Sequence, residues 1–232
     1  EDGEVEQIVD EAEKEIFGIA ENRAKGGNLS PIKSVLDHAI SLIEQRVKNK
    51  GVLSGVPSGF RDLDDMTYGF QSSDLVILAA RPSMGKTALA LSMVANTALY
   101  AKKSVLFFSL EMSKDSLVQR MISSMARIDS HQLRTGYLKQ EDFTKLWNAS
   151  GRLSSCKIWI EDTPGISYMD IRAISRSLKA KEGLDIIFID YLQLITLPMG
   201  RKEENRQNTV AEISRSLKML AQELSVHVIA LA

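Results

Sequence analysis

The chain is short of cysteine, of net charge and of long apolar runs, and each shortage removes a class of protein. Its single cysteine, Cys156, excludes an internal disulfide framework and a cysteine-rich zinc site and is consistent with a reducing compartment. With 29 basic residues against 30 acidic ones, the formal charge is −1. No bulk positive field therefore draws in nucleic acid, and any such contact must come from a local basic patch. No apolar run reaches the length of a membrane span. The acidic opening Glu1-Asp2-Gly3-Glu4 lacks the basic, apolar and small-residue order of a signal peptide. A cytoplasmic location without a membrane partner is expected. Internal repeats and low-complexity segments are also missing. What remains is a chain of 232 residues, 44% hydrophobic and 25% charged, enough for one α/β domain and a short appendage. It opens without methionine and closes inside the apolar run 226–232, so it reads as part of a longer protein.

Residues 1–50 differ from the rest. Val5, Ile8, Val9, Ala12, Ile16, Ile19 and Ala20 recur at helical spacing and predict an amphipathic helix with an acidic outer face. Lys25-Gly26-Gly27-Asn28 breaks it. Ser30-Pro31 then supplies a cap and a first-turn proline for a second helix, whose stripe is Ile32, Val35, Leu36, Ala39, Ile40, Ile43 and Val47. A helix this short must dock its stripe to be stable, either on the chain's own core or on a neighbouring copy. From residue 51 onward apolar runs at 75–80, 104–110, 157–160, 186–190 and 226–232 alternate with helical patterns at 86–101, 114–127, 140–153, 167–182 and 208–224. The runs are nearly continuous rather than alternating, as in strands covered on both faces of a parallel sheet. An α/β domain over 51–232, preceded by a helical linker region over 1–50, is the expected organisation.

The chemistry starts at Ala80-Arg81-Pro82-Ser83-Met84-Gly85-Lys86-Thr87, which follows a predicted strand and opens a predicted helix, the context of a phosphate-binding P-loop. Gly85 lets the backbone turn its N–H groups inward, and the helix start adds positive partial charge. Lys86 carries a full charge to the β- and γ-phosphates, and the Thr87 hydroxyl can ligate Mg²⁺. Ala80 stands where the bare pattern has its first glycine.

Such a loop needs acidic partners. Asp190 ends the run Ile186-Ile187-Phe188-Ile189, at the strand end where ligands gather in open parallel sheets, and is the expected magnesium-side carboxylate. Many P-loop ATPases place a catalytic glutamate directly after that aspartate; Tyr191 occupies the position here. Glu111, in Ser109-Leu110-Glu111-Met112-Ser113, leaves the strand after the P-loop helix and can orient the attacking water, an arrangement similar to that of RecA-like proteins. Read alone, Glu111 has a second reading, as a helix-start residue interacting favourably with the dipole.

Taken together these motifs resemble the motor domain of the DnaB helicase family. Gly55-Val56-Pro57-Ser58-Gly59-Phe60-Arg61-Asp62-Leu63-Asp64 is similar to its opening segment, and 80–87 to its P-loop, alanine included. Ser109–Ser113, Asp190-Tyr191-Leu192-Gln193-Leu194 and Glu204-Asn205-Arg206-Gln207 follow in the family's order, over about residues 30–232. The resemblance implies a RecA-like P-loop core with a mostly parallel sheet. It implies a homohexameric ring driven by ATP with Mg²⁺ along single-stranded DNA, 5′ to 3′, and a helicase loader and primase as partners. In that family Ile32–Lys48 corresponds to a linker helix that packs on the next subunit. Arg120 matches an arginine near the nucleotide, or is an ordinary exposed helix arginine. Arg201, Lys202 and Arg206 lie where family loops meet DNA, or form a solvated charged loop. The family's sensor glutamine, arginine finger and second DNA loop are expected beyond residue 232. Two rival classes remain: a RecA- or RadA-like recombination or clock-type ATPase, and a nucleotide-holding scaffold. RadA-like proteins usually carry a glycine-rich P-loop and lack the Ser109–Ser113 motif, while a pure scaffold need not keep Lys86, Thr87, Glu111 and Asp190 together.

Overall fold

The computed structural model describes residues 31–48, 51–196 and 206–232. The helix expected over 5–20 lies outside them. The chain divides between Val52 and Leu53. Of the first unit, the chief described element is α1 (Ile32–Lys48), which starts directly after Pro31, with the Pro31 carbonyl accepting from the Ser34 and Val35 amides. Its stripe is open to solvent, from Ile32 at 71% exposure to Val47 at 56%.

The second unit is built on five strands, β1 (Leu75–Leu78), β2 (Val105–Ser109), β3 (Ile158–Glu161), β4 (Ile186–Asp190) and β5 (His227–Leu231). They pair in the order β1-β5-β4-β2-β3, and every pairing is parallel. Each expected run forms its strand: 186–190 is reproduced as it stands, 157–160 is shifted by one residue to 158–161, and the other three are shortened by a residue or two at the ends. Helices α2 (Arg61–Thr67), α3 (Lys86–Leu99), α4 (Lys114–Ala126), α5 (Ser130–Thr135), α6 (Gln140–Ser154), α7 (Tyr168–Glu182) and α8 (Arg206–Leu224) fill the connections.

The pleat explains why the runs read as continuous apolar sequence. Successive strand residues point to opposite faces, and both faces are covered. Val105, Phe107, Ile186, Phe188 and Ile229 pack with Leu91, Val94 and Ala98 of α3 and with Leu117 and Met121 of α4. Their alternates Leu106, Phe108, Ile187, Ile189 and Val228 pack with Ile171 of α7 and with Ile213, Leu217 and Leu220 of α8. The Phe107 and Phe188 rings stack 6.1 Å apart, and burial of each contributes about 1.5–3 kcal/mol. β2, β4 and β5 are buried throughout, whereas β1 and β3 at the edges are half-buried, with Ile77 exposed.

The segment before β1 is pinned to α3. The buried Asp64 carboxylate accepts from the amides of Ser58 at 2.7 Å and Gly59 at 3.0 Å, and the Thr97 hydroxyl donates to the Pro57 carbonyl at 2.7 Å. Glycine is required at position 59: φ is +80°, and a β-carbon there would lie 2.3 Å from that of Asn96.

Candidate functional site

With all strands running one way, their carboxyl ends form a single rim, and β1, β4 and β2 each deliver a functional residue to it. After β1 the chain turns through 81–85 into α3. Ser83 and Gly85 both take positive φ, +65° and +84°, which directs successive N–H groups into a concavity suited to anions. A β-carbon on Gly85 would meet nothing within 4 Å, so glycine serves there for its left-handed conformation alone. The first helical bond runs from the Leu89 amide to the Gly85 carbonyl. The amides of Lys86, Thr87 and Ala88 thus have no acceptor within the helix and remain available to a phosphate. Ala80, Arg81, Pro82, Ser83 and Met84 are all exposed around this concavity.

The rim closes through one contact. The Thr87 hydroxyl donates to Asp190 Oδ2 at 2.6 Å, joining residues 103 positions apart. Asp190 is 2% exposed, and its Oδ1 is buried with no hydrogen-bond partner. A buried carboxylate oxygen normally has one, so Oδ1 keeps an acceptor capacity that the protein leaves unused. Among the described residues no group of three His, Cys, Asp or Glu side chains could hold a metal unaided. A hydroxyl beside one carboxylate fits Mg²⁺ instead, because that ion takes hard oxygen donors and keeps several waters.

Glu111 belongs to the same rim. Ser109 lies in register with Asp190, and the Leu110 amide donates to the Asp190 carbonyl at 2.7 Å. Glu111 follows directly, exposed, two positions before the Ser113 cap of α4. The acidic residue in the first turn of α4 is Asp115, and the start of that helix is tied down by Asp162, which accepts from the Lys114 amide at 2.8 Å.

Lys86 extends over the ring of Tyr191, with Nζ 5.3 Å from the centroid. In the sequence Tyr191 stands where a glutamate was possible and within the Asp190–Leu194 motif, but neither points to its contact with Lys86, because a cross-site ring contact leaves no periodic signal. Arg120 is exposed on α4 and lines a cavity of about 560 Å³ with Ala88, Leu91 and Ser92 of α3, which puts it beside the first turns of the P-loop helix. Arg201 and Lys202 lie outside the described residues, and Arg206 opens α8.

A P-loop whose threonine is held by a carboxylate ending β4, while a second carboxylate leaves the adjacent β2, defines a RecA-like P-loop NTPase. More narrowly, the chain belongs to the DnaB-like helicase C-terminal domain family, whose model matches residues 55–232. It is 50% identical over 229 residues to the replicative DNA helicase DnaC of Bacillus subtilis, covering 99% of this chain and 50% of that protein. To the replicative DNA helicase DnaB of Geobacillus stearothermophilus it is 49% identical, with the same coverage. Among solved structures, a DnaB-like replicative helicase described with its interactions with primase aligns at TM-score 0.78 and 35% identity, over 97% of this chain and 58% of that one. The chain thus spans about half the length of the curated relatives it matches.

Proposed function

We propose that the chain is the motor portion of a hexameric replicative DNA helicase, which couples ATP hydrolysis to 5′-to-3′ movement on single-stranded DNA and so to duplex unwinding. The Thr87–Asp190 hydrogen bond carries this reading, because it unites the P-loop and the β4 carboxylate at one point of the rim. Membership of the DnaB-like family favours a helicase over a recombination or clock-type ATPase.

In the proposed site the amides of Gly85, Lys86, Thr87 and Ala88 face the phosphates, with Lys86 on the β- and γ-groups. Thr87 and Asp190 would hold Mg²⁺, Asp190 through water. The bound ion would supply charge neutralisation for phosphoryl transfer. Glu111 orients the attacking water and takes its proton, and Arg120 lies near enough to the P-loop helix to respond to the nucleotide. Arg201, Lys202 and Arg206 are assigned to the DNA backbone, a sequence-independent and salt-sensitive contact.

Assembly has its own support. The α1 stripe is exposed, and so is an apolar groove on the second unit, of about 290 Å³, lined by Ile122, Leu133, Phe143, Leu146 and Trp147. Docking of α1 from one copy into this groove of the next would satisfy both surfaces and generate a ring. A loader and a primase are the further partners expected of such a ring, working in the cytoplasm. Among the described residues no helix is long and apolar enough to cross a membrane.

In the full-length protein, ATP hydrolysis should rise on addition of single-stranded DNA, and Lys86→Ala should abolish both turnover and unwinding of a forked duplex. Unwinding at the normal rate by that variant would end the assignment.

A further inference from the structure

At the rim the Lys86 ammonium lies over an aromatic face next to Asp190 in the chain rather than against the carboxylate itself. Asp190 lies on β4, and the side chain of Asp190 offers a buried oxygen without a hydrogen bond. Yet among the described residues no ion pair joins Lys86 to Asp190, and the ammonium lies over the Tyr191 ring instead. The ring is half-buried and packs against the same apolar cluster that holds Phe107 and Phe188, so its face is fixed by the core rather than free to follow the lysine. A cation over such a face is attracted to the ring quadrupole while keeping much of its water. Pairing with Asp190 would strip that water, a penalty that offsets much of the Coulomb gain in a buried pair.

We propose that Tyr191 is a positioning residue that holds the Lys86 ammonium away from Asp190, so that the lysine stays available to phosphate and the carboxylate to Mg²⁺. This deepens the nucleotide-site reading and rests on it. Without the ring face, Lys86 would fall back onto Asp190, and each incoming nucleotide would have to break an ion pair before binding. The aromatic face is the working part. The hydroxyl is dispensable.

The test is titration of the full-length protein with a fluorescent ADP in the presence of a magnesium chelator, so that Asp190 acts on the nucleotide only through Lys86. Tyr191→Leu should weaken binding by about fivefold, the size of an ordinary cation–π contact, and Tyr191→Phe should bind as wild type does. In an Asp190→Asn background, where the lysine has no anion to fall onto, Tyr191→Leu should cause no further loss. Should Tyr191→Leu fail to fold, Tyr191→Met carries the same comparison. Three outcomes would overturn the proposal: unchanged binding by the Leu or Met variant, an equal loss in Tyr191→Phe, or an undiminished loss in the Asp190→Asn background, which would mean packing alone. Lys86→Ala serves as the separate control. If it binds the nucleotide as tightly as wild type, the P-loop reading itself is wrong, whatever Tyr191 does.

Discussion

At the scale of single residues, His227 shows how a titrating group enters the stability of the sheet. It is 1% exposed at the start of β5, stacked on Phe70 with centroids 4.7 Å apart. Its Nδ1 lies 2.9 Å from the Gln71 carbonyl, an acceptor, so that nitrogen carries the proton and Nε2 is left bare and buried. Burial pushes its pKa below the ordinary 6.5, and the Gln71 carbonyl and Asp74 oppose this only in part. Lys218, held by Asp74 at 2.9 Å, adds a cation nearby that disfavours the charged ring. The folded state therefore binds this proton less readily than the unfolded chain. The stabilisation is complete above about pH 6.5 and is lost as pH falls below it, toward the lower folded-state value. The melting temperature should accordingly drop between neutral pH and pH 5, and His227→Gln should flatten that part of the profile. Identical profiles for the two proteins would exclude the histidine as the cause.

Residue identity was also the most legible layer of the sequence. Lys86, Thr87 and Asp190, the groups proposed for phosphate and magnesium, stood out because such sites favour those residue types next to a strand end. Glu111 was ambiguous, since a carboxylate near a helix start has two uses; the structure puts it ahead of the α4 cap, leaving Asp115 in the first turn. The Lys86–Tyr191 and Asp64–Ser58 contacts were not legible, because side-chain encounters across elements leave no pattern along the chain.

Among elements, the strands of the sheet were readable from apolar runs because coverage on both faces removes the polar alternate. The short helices α2 and α5 were missed: at 7 and 6 residues they complete no more than two turns, too few for a period to emerge. The α1 stripe was plain in sequence, but the groove proposed to receive it was not, since Ile122, Leu133, Phe143 and Trp147 come from three separate helices. Trp147 is 75% exposed, an apolar surface that calls for a partner. If α1 of a neighbouring copy covers it, Trp147→Ala should weaken ring association by about 2 kcal/mol or more, as for a buried aromatic anchor. Sedimentation of the full-length protein over a dilution series would register the shift toward smaller species. An unchanged distribution at every concentration would move the docking site elsewhere.

For the molecule as a whole, parallel order separates two kinds of work. Among the described residues, Lys86, Thr87, Glu111 and Asp190 lie at or just beyond the carboxyl ends of the strands. The opposite rim is knitted for stability: Asp185 accepts from the Ser104 amide at 2.9 Å and from Lys103 at 3.2 Å, its carbonyl accepts from the His227 amide, and Lys218 donates to the Ser73 carbonyl. Burial would push the Asp185 carboxyl upward, but the Ser104 hydrogen bonds and Lys103 outweigh it and hold the pKa below the usual aspartate range. That division follows from strand direction, which the βαβ alternation already implied.

Inheritance should follow the same line. If the chain works in a ring as proposed, a subunit altered at the chemical rim should still enter rings and stall its intact neighbours, so Asp190→Asn co-expressed with the normal protein should behave as a dominant poison. Asp185→Ala at the knitted rim removes the acceptor of the Ser104 and Lys103 contacts, should lower the subunit's stability and its share of any ring, and should be recessive. Growth of merodiploid cells would distinguish the two.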